Sequence, residues 1–389
     1  MVHSDNTKSN GLFFLTLIFG VFALLSMELG AMGILPIIAE KYGVSVADAG
    51  WVVSIFALIV AITAPILPPL ATKYDAKKVM LICLFVFSAT SFGAAICENF
   101  ILLLIARAIP ALFHPVYCAF AFSIAADSVP QNEAPKAIAK IFIAVSAGMT
   151  LGVPLTSFIA SNTSLEMAFV FFGALNALAL LLTIVFVPSQ NAKEKPSQKE
   201  QFKLLAKPVV WASVFVVMTF NGAMFGFYSY MSEFLLNFTQ VSFNLISALL
   251  LVYGLTCIVG NAIAGKVLVS APKATLRVVP LLLVALYVAL FFGGGTALGA
   301  SVILVVLGIV AGVGNNTCQF IIASPIPQAK ELANGLFLSA ANIGVTLGTS
   351  LCGLFISLEG SRFAVLAAVC LMVGSIGLLI VREKFLDKD

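Results

Sequence analysis

The chain has 389 residues, of which 61% are hydrophobic and only 10% are charged. A soluble domain carries roughly 25% charged residues, so this composition excludes a soluble enzyme or binding domain and indicates an integral membrane protein. The formal net charge of +4 is small, and we expect no nucleic-acid partner.

Apolar stretches follow one another along the chain, interrupted by Pro, Gly and clusters of charge. A bilayer core about 30 Å thick needs around 20 apolar residues per helix. The first stretch is too long for the apolar core of a signal peptide, so we expect it to remain as helix 1. The pattern predicts an all-α membrane protein with twelve transmembrane helices at residues 12–38, 47–71, 78–97, 100–126, 135–160, 166–187, 208–236, 243–268, 275–294, 298–322, 332–357 and 361–382.

Helix 1 carries an acid, Glu28, eight residues before Pro36. A rise of 1.5 Å per residue places Glu28 about 12 Å below the outer end of the helix. An ionisable side chain within a membrane helix costs several kcal/mol, so it is a candidate functional residue.

The segment between helices 2 and 3 is basic, with Lys73, Lys77 and Lys78 around a single acid, Asp75. One interpretation is a solvated loop. The other is a conformational motif in which a lysine of this loop pairs with Asp127 at the cytoplasmic end of helix 4.

Helix 4 carries two more ionisable residues, Arg107 and His114, seven residues apart and therefore on one helical face. Arg107 is predicted about 9 Å deep, a depth similar to that of Glu28. Burial favours a protonated carboxyl and a nearby guanidinium favours a carboxylate, so the hypothesis is that Glu28 binds the coupling proton. Arg107 would then tune Glu28 or hold an anionic group, and His114 would contact substrate or relay the proton. The alternatives are a structural ion pair, a contact of Arg107 to backbone carbonyls, and a packing role for His114.

Helix 5 contains Gly148, Gly152 and Pro154. Glycines four residues apart let another helix approach closely, and the proline permits a bend. Such a seam also occurs in membrane helices of other function.

Residues 188–207 are polar, charged and proline-containing, which is typical of a surface linker. We therefore predict an N-terminal six-helix bundle at 1–187, a cytoplasmic linker at 188–207 and a C-terminal bundle at 208–389. An offset of 196 residues matches Gly148 with Gly344 and Gly152 with Gly348, and it holds from the first helix to the fifth. This indicates a duplicated six-helix unit.

The second half offers amides and phenols as candidate substrate-binding groups. They can hydrogen-bond a neutral solute or bridge helices to one another. These residues are Asn221 and Tyr228 in helix 7, Asn315, Asn316 and Gln319 in helix 10, and Asn342 in helix 11.

Basic residues are distributed unevenly over the predicted loops. An even number of helices with a cytoplasmic amino terminus places 18 of the 21 basic residues on the cytoplasmic side. The positive-inside rule therefore predicts that both termini are cytoplasmic in a cell (inner) membrane protein.

No pattern of catalytic or metal-binding residues stands out. The seven cysteines lie singly in apolar runs, without a CxxC pair or a histidine at metal-ligand spacing. The chain shows neither a nucleophile with a base nor a phosphate-binding loop, so we expect no enzymatic activity, no metal and no cofactor.

Three segments resemble the major facilitator superfamily. The basic loop is similar to the family's signature between helices 2 and 3, with Thr72 where the family usually has Asp and Asp75 where it has a turn Gly. The glycines of helix 5 resemble the motif of the proton-coupled antiporter branch. Residues 28–45 are similar to the start of bacterial sugar, purine and drug efflux permeases related to arabinose exporters.

The resemblance implies two six-helix bundles related by a pseudo-two-fold axis, with helices 1 and 4 lining the cavity of the first. It also implies a proton-coupled antiporter that exports a small organic solute such as a drug, a sugar or a nucleobase-like compound by alternating access. The alternative is a proton- or ion-coupled uptake symporter. The expected partners are the solute, protons and the lipid bilayer, and we expect a monomer.

Overall fold

The computed structural model describes residues 2–130, 133–189, 203–327 and 329–386. All regular secondary structure in these ranges is helical, which confirms the predicted all-α class. Twelve of the described helices are long and apolar enough to cross a membrane, as predicted. Helices 1 to 12 span Gly11–Tyr42, Val46–Thr63, Ala76–Ala95, Phe100–Asp127, Ala144–Asn162, Leu165–Phe186, Pro208–Ser229, Phe243–Ser270, Pro272–Gly293, Ala297–Ala323, Leu332–Glu359 and Ser361–Phe385.

Helix 1 is not one continuous α-helix. It is α-helical over Val2–Gly30, forms a 3-10 turn over Ala31–Ile34 and resumes as an α-helix over Leu35–Tyr42. Pro36 lies in the first turn of the resumed helix, where its missing N–H has no helical partner to lose. The turn therefore lies between Glu28 and the C-terminal end of helix 1.

The prediction of one helix over residues 47–71 was wrong. The helical stretch ends at Thr63, and a separate short helix covers Leu67–Ala71. Pro65 lies between them and explains the break, because it lacks an N–H and disfavours helical geometry in the residue before it. Helix 7 was predicted to extend to residue 236, but its regular α-helix ends at Ser229.

The chain forms two compact units. The first contains residues 1–31 and 62–195, and the second contains 32–61 and 196–389. The division in helix 1 falls in its 3-10 turn. Residues 190–202 of the predicted linker lie outside the described residues, so the predicted domain boundaries stay a prediction.

In the first unit, helix 5 packs on helix 1 through its two glycines. A Cβ atom added to Gly148 would lie 2.7 Å from the Cβ of Leu25, and one added to Gly152 would lie 2.9 Å from the Cα of Ser26. Real side chains do not approach so closely, so glycine is required here for the backbones to meet.

In the second unit, helix 11 packs on helix 7 in the same way. A Cβ atom on Gly348 would clash with the carbonyl oxygen of Gly222, and one on Gly226 would lie 2.7 Å from the Cα of Gly348. Gly152 with Ser26 and Gly348 with Gly222 stand 196 residues apart, which is the offset of the sequence repeat. The same helix pair is therefore closed by small residues in each unit.

Candidate functional site

The first unit brings Glu28 and His114 together across helices 1 and 4. The Oε2 atom of Glu28 lies 2.8 Å from the Nε2 atom of His114, and the two side chains are 14% and 3% exposed. The atoms are at hydrogen-bonding distance, although the geometry is not that of an aligned hydrogen bond. The pair is an ion pair when His114 is protonated and Glu28 is ionised.

Arg107 joins the same site but binds the backbone of helix 1. Its Nη1 donates to the carbonyl of Met27 at 2.7 Å, and its Nη2 donates to the carbonyl of Glu28 at 3.0 Å. These carbonyls belong to the last turn of the segment Val2–Gly30, where a helix has no internal donors left for them. Of the alternatives for Arg107, the contact to backbone carbonyls is thus the one observed, together with an electrostatic interaction with Glu28.

Both helices are irregular where the three residues meet. The 3-10 turn of helix 1 begins three residues after Glu28. In helix 4, Pro110 and Pro115 lie on either side of His114, and each removes one backbone hydrogen bond from the helix. The arrangement therefore brings prolines, a 3-10 turn and buried ionisable groups together in one region of the unit.

Two buried hydroxyl groups on these helices were not predicted from the sequence. The Oγ of Ser26 and the phenolic oxygen of Tyr117 have no hydrogen-bond partner in the part of the chain that the structure describes. Ser26 precedes Glu28 by two residues, and Tyr117 follows His114 by three, one helical turn. Serine and tyrosine are common in membrane helices, so nothing in the sequence marked these two.

The basic loop is tied to the rest of the first unit by Asp75 and Lys77. Asp75 caps helix 3 by accepting from the backbone N–H of Lys78 at 2.9 Å, and it also accepts from Ser189. The Nζ of Lys77 donates at 2.8 Å to the carbonyl of Ile184, in the last turn of helix 6. The interpretation as a purely solvated loop is therefore incomplete for these two residues.

The other predicted members of this motif differ in environment. Lys73 and Lys78 are exposed, and Asp127 is the exposed last residue of helix 4. Pro154 lies buried within helix 5, two residues beyond the close contact at Gly152.

In the second unit, Tyr228 stacks on Tyr253 of helix 8. Their ring centroids are 5.1 Å apart with an angle of 22° between the planes. Tyr228 was predicted as a site residue and Tyr253 was not, because no local pattern tells which tyrosines of two helices will meet. The stacked pair offers a flat aromatic surface and two phenolic groups.

Asn316 bridges helices 8 and 10. Its Nδ2 donates at 2.8 Å to the Oδ1 of Asn261, a residue that the sequence analysis did not select. The same Nδ2 donates to the carbonyl of Gly312 at 3.1 Å. Of the two roles considered for this amide, the structure thus displays the helix bridge.

The remaining amides are dispersed. Asn221 is fully buried, donates to the carbonyl of Val217, and its Oδ1 has no hydrogen-bond partner among the described residues. Asn342 is buried and donates to the carbonyl of Leu338. Asn315 and Gln319 are half-buried.

The second unit also buries two ionisable residues that were not predicted as site residues. Glu233 is 4% exposed and Arg382 is 2% exposed. The Nε of Arg382 donates to Ser213 at 2.7 Å, and its Nη2 donates to Ser324 at 2.7 Å. Both residues lie near the ends of predicted helices, where a charge is usually assumed to reach water.

Comparison with known proteins gives the family. The model of the Major Facilitator Superfamily matches residues 16–330. The chain belongs to the Major Facilitator Superfamily. It is 30% identical over 352 residues to the uncharacterized MFS-type transporter YtbD of Bacillus subtilis, with 89% of each chain covered. It is 24% identical to a probable sugar efflux transporter of Mannheimia succiniciproducens, with 84% of this chain and 82% of the relative covered.

A solved structure supports the major facilitator fold. The crystal structure of the nucleoside transporter NupG matches with a TM-score of 0.77 at 18% identity, covering 96% of this chain and 99% of that one. The family match and the relatives named above confirm the resemblance to the superfamily and the expectation of a transporter rather than an enzyme. The protein is a multi-pass membrane transporter of the superfamily.

Proposed function

We propose that this superfamily member is a proton-coupled antiporter that exports a small organic solute by alternating access. The observation that carries the proposal is the 2.8 Å approach of Glu28 Oε2 to His114 Nε2 inside a membrane-spanning unit. Two titratable groups at this distance form one proton-binding site, because each changes the free energy of protonating the other.

The summed charge of Glu28, His114 and Arg107 changes when the site binds a proton. With Glu28 ionised and His114 neutral, the charges of these groups and Arg107 sum to zero. One proton bound to the Glu28–His114 pair raises the sum to +1. Because charge within a membrane domain is costly, protonation would change the relative stability of the transporter's conformations, which is the requirement for coupling.

Two likenesses to other transporters support export as the direction of transport. The glycine pattern of helix 5 resembles that of the antiporter branch, and one relative is named as a probable sugar efflux transporter. The basic residues, concentrated in one set of loops, support a cytoplasmic position of both termini.

The neutral groups of the second unit support a neutral polar solute. The stacked rings of Tyr228 and Tyr253 offer an apolar face, and buried amides such as Asn221 offer hydrogen bonds. Pockets that combine apolar surface with a few polar groups are typical of small-molecule sites. A drug, a sugar or a nucleobase-like compound fits this chemistry.

Vesicle experiments test the direction. A panel of radiolabelled neutral sugars and nucleosides is offered to inverted and right-side-out vesicles under an imposed pH gradient. An antiporter that exports its solute accumulates it in inverted vesicles with an acidic interior. Accumulation only in right-side-out vesicles, driven by external acid, would contradict export and favour the uptake symporter.

A further inference from the structure

A second buried carboxyl lies in the second unit, at the end of helix 7 that the charge pattern places outside. Glu233 closes the short helical segment Met231–Glu233, which is followed directly by a π-helical turn over Phe234–Phe238. Its side chain is 4% exposed. An ionised carboxylate at such a site is costly unless it is paired or fully hydrogen-bonded.

The two oxygens of Glu233 have different surroundings. Oε1 accepts from the Nδ2 of Asn237 at 2.6 Å and from the Oγ of Ser361 at 2.6 Å. Oε2 is buried and has no hydrogen-bond partner among the described residues. A bare Oε2 that carries part of a negative charge costs more than a bare neutral hydroxyl. The geometry therefore favours a proton on Oε2 and a carbonyl character for Oε1.

The irregular backbone creates this arrangement. The π-helical turn is closed by the N–H of Thr239, which donates at 3.1 Å to the carbonyl of Phe234. The hydroxyl of Thr239 donates to the carbonyl of Gly294 at 2.8 Å, and Gln240 has a positive φ of 60°. Such turns are frequent at functional sites. Here the turn presents Asn237 to the carboxyl that precedes it.

The arginine next to Ser361 makes its hydrogen bond elsewhere. Arg362 follows Ser361, but its guanidinium donates to the carbonyl of Phe291 at 2.9 Å and lies 3.9 Å from the centre of that ring. No basic nitrogen of the described residues lies within 4.0 Å of the Glu233 carboxyl oxygens.

The elements packed nearby carry other titratable and charged groups. Tyr230, which is buried, lies three residues before Glu233 in the chain. On the outer part of helix 1, Gly33 accepts from Ser232 at 2.9 Å, and the charged residues beyond it are the exposed Glu40 and Lys41. Asp48 accepts from the hydroxyl of Ser45.

We propose that Glu233 is a second proton-binding site and that it holds its proton in the conformation described here. The proton neutralises the carboxyl while Asn237 and Ser361 hold its carbonyl oxygen. This inference deepens the proposed function and rests on it for the use of the proton in transport. Proton binding itself is measured on the purified protein without any solute.

Infrared spectroscopy of the purified full-length protein in lipid nanodiscs tests the site. At neutral pH, exposed carboxyls among the 17 acidic residues are ionised, so a carboxylic acid C=O band reports buried protonated groups. We expect such a band in the wild type, its loss or reduction in Glu233→Gln, and a retained Glu233 component in Glu28→Gln. Superimposable wild-type and Glu233→Gln spectra would overturn the proposal.

A second variant keeps the test decisive if Glu233→Gln does not fold. Ser361→Ala keeps the carboxyl but removes one donor to Oε1, so the C=O band should shift to higher frequency. The matched control is Ser357→Ala, whose exposed hydroxyl donates to the carbonyl of Leu354 and which should leave the band unchanged. An unshifted band in Ser361→Ala would contradict the assignment.

The vesicle and infrared experiments fail separately. If wild-type vesicles show no transport coupled to the pH gradient while the Glu233 band is present, the proposed function is refuted and the proton site stands. Normal coupling in wild-type vesicles, with no Glu233 band, would refute the site and leave the proposed function standing.

Discussion

The Nε2 atom of His114 lies 2.8 Å from the Oε2 atom of Glu28, across two helices of one unit. This contact requires helix 4 to run beside the last α-helical turn of helix 1. Arg107 holds that register, because its guanidinium donates to the carbonyls of Met27 and Glu28. Arg107 thus positions the turn of helix 1 that carries Glu28, and the carboxyl of Glu28 contacts His114.

Arg107→Lys should lower the stability of the transporter. A lysine keeps the positive charge but lacks the planar fork that reaches two carbonyls. The loss of hydrogen bonds from a charged, buried donor predicts a cost of about 3 kcal/mol, measured as a lower melting temperature of the purified protein. The control is Arg277→Lys, at an exposed ion pair with Glu383, which should cost less than about 1 kcal/mol. Equal melting temperatures for the two variants would contradict the assigned role.

Gly348→Ala should separate helices 7 and 11. The added methyl group would clash with the carbonyl of Gly222, and overpacking of this kind costs about 1–3 kcal/mol. Gly374→Ala is the matched control, because a Cβ there meets nothing within 4 Å. Thermal unfolding of both variants checks the prediction, and a wild-type melting temperature for Gly348→Ala would refute the tight seam.

The substitutions Asp75→Ala and Asp75→Asn should differ. Asp75 caps helix 3, and asparagine is as good a cap as aspartate, whereas alanine costs about 1 kcal/mol. We therefore expect Asp75→Asn to melt near the wild type and Asp75→Ala to melt about 1–2 °C lower. If both variants lose the same stability, the charge of Asp75 rather than its cap matters.

Asn316 and Asn261 should behave as a coupled pair. Removal of a hydrogen bond between membrane helices costs roughly 0.6 kcal/mol on average, so Asn316→Leu and Asn261→Leu should each destabilise slightly. The double variant should lose less than the sum of the two. Asn315→Leu serves as the neighbouring control, and additive losses in unfolding measurements would argue that Asn316 does not act as a helix bridge.

The sequence could predict the spans and the similar depth of Glu28 and Arg107, because hydropathy and helical rise depend only on local spacing. It could not predict the contact of His114 with Glu28 or the 3-10 turn after Gly30, because both depend on how the helices pack. Glu233 was missed for a similar reason. A carboxyl near a predicted helix end is expected to reach water, and its burial arises from a π-helical turn and from Ser361, which is distant in the sequence.

The proton-coupling role of Glu28 is the central claim, and a single measurement tests it most directly. Solute efflux driven by an imposed pH gradient is compared in vesicles that contain the wild type, Glu28→Gln or the control Glu40→Gln, which changes an exposed acid on the same helix. We predict that Glu28→Gln loses the response to the gradient while Glu40→Gln retains it. Full coupling to the pH gradient in Glu28→Gln would contradict the account.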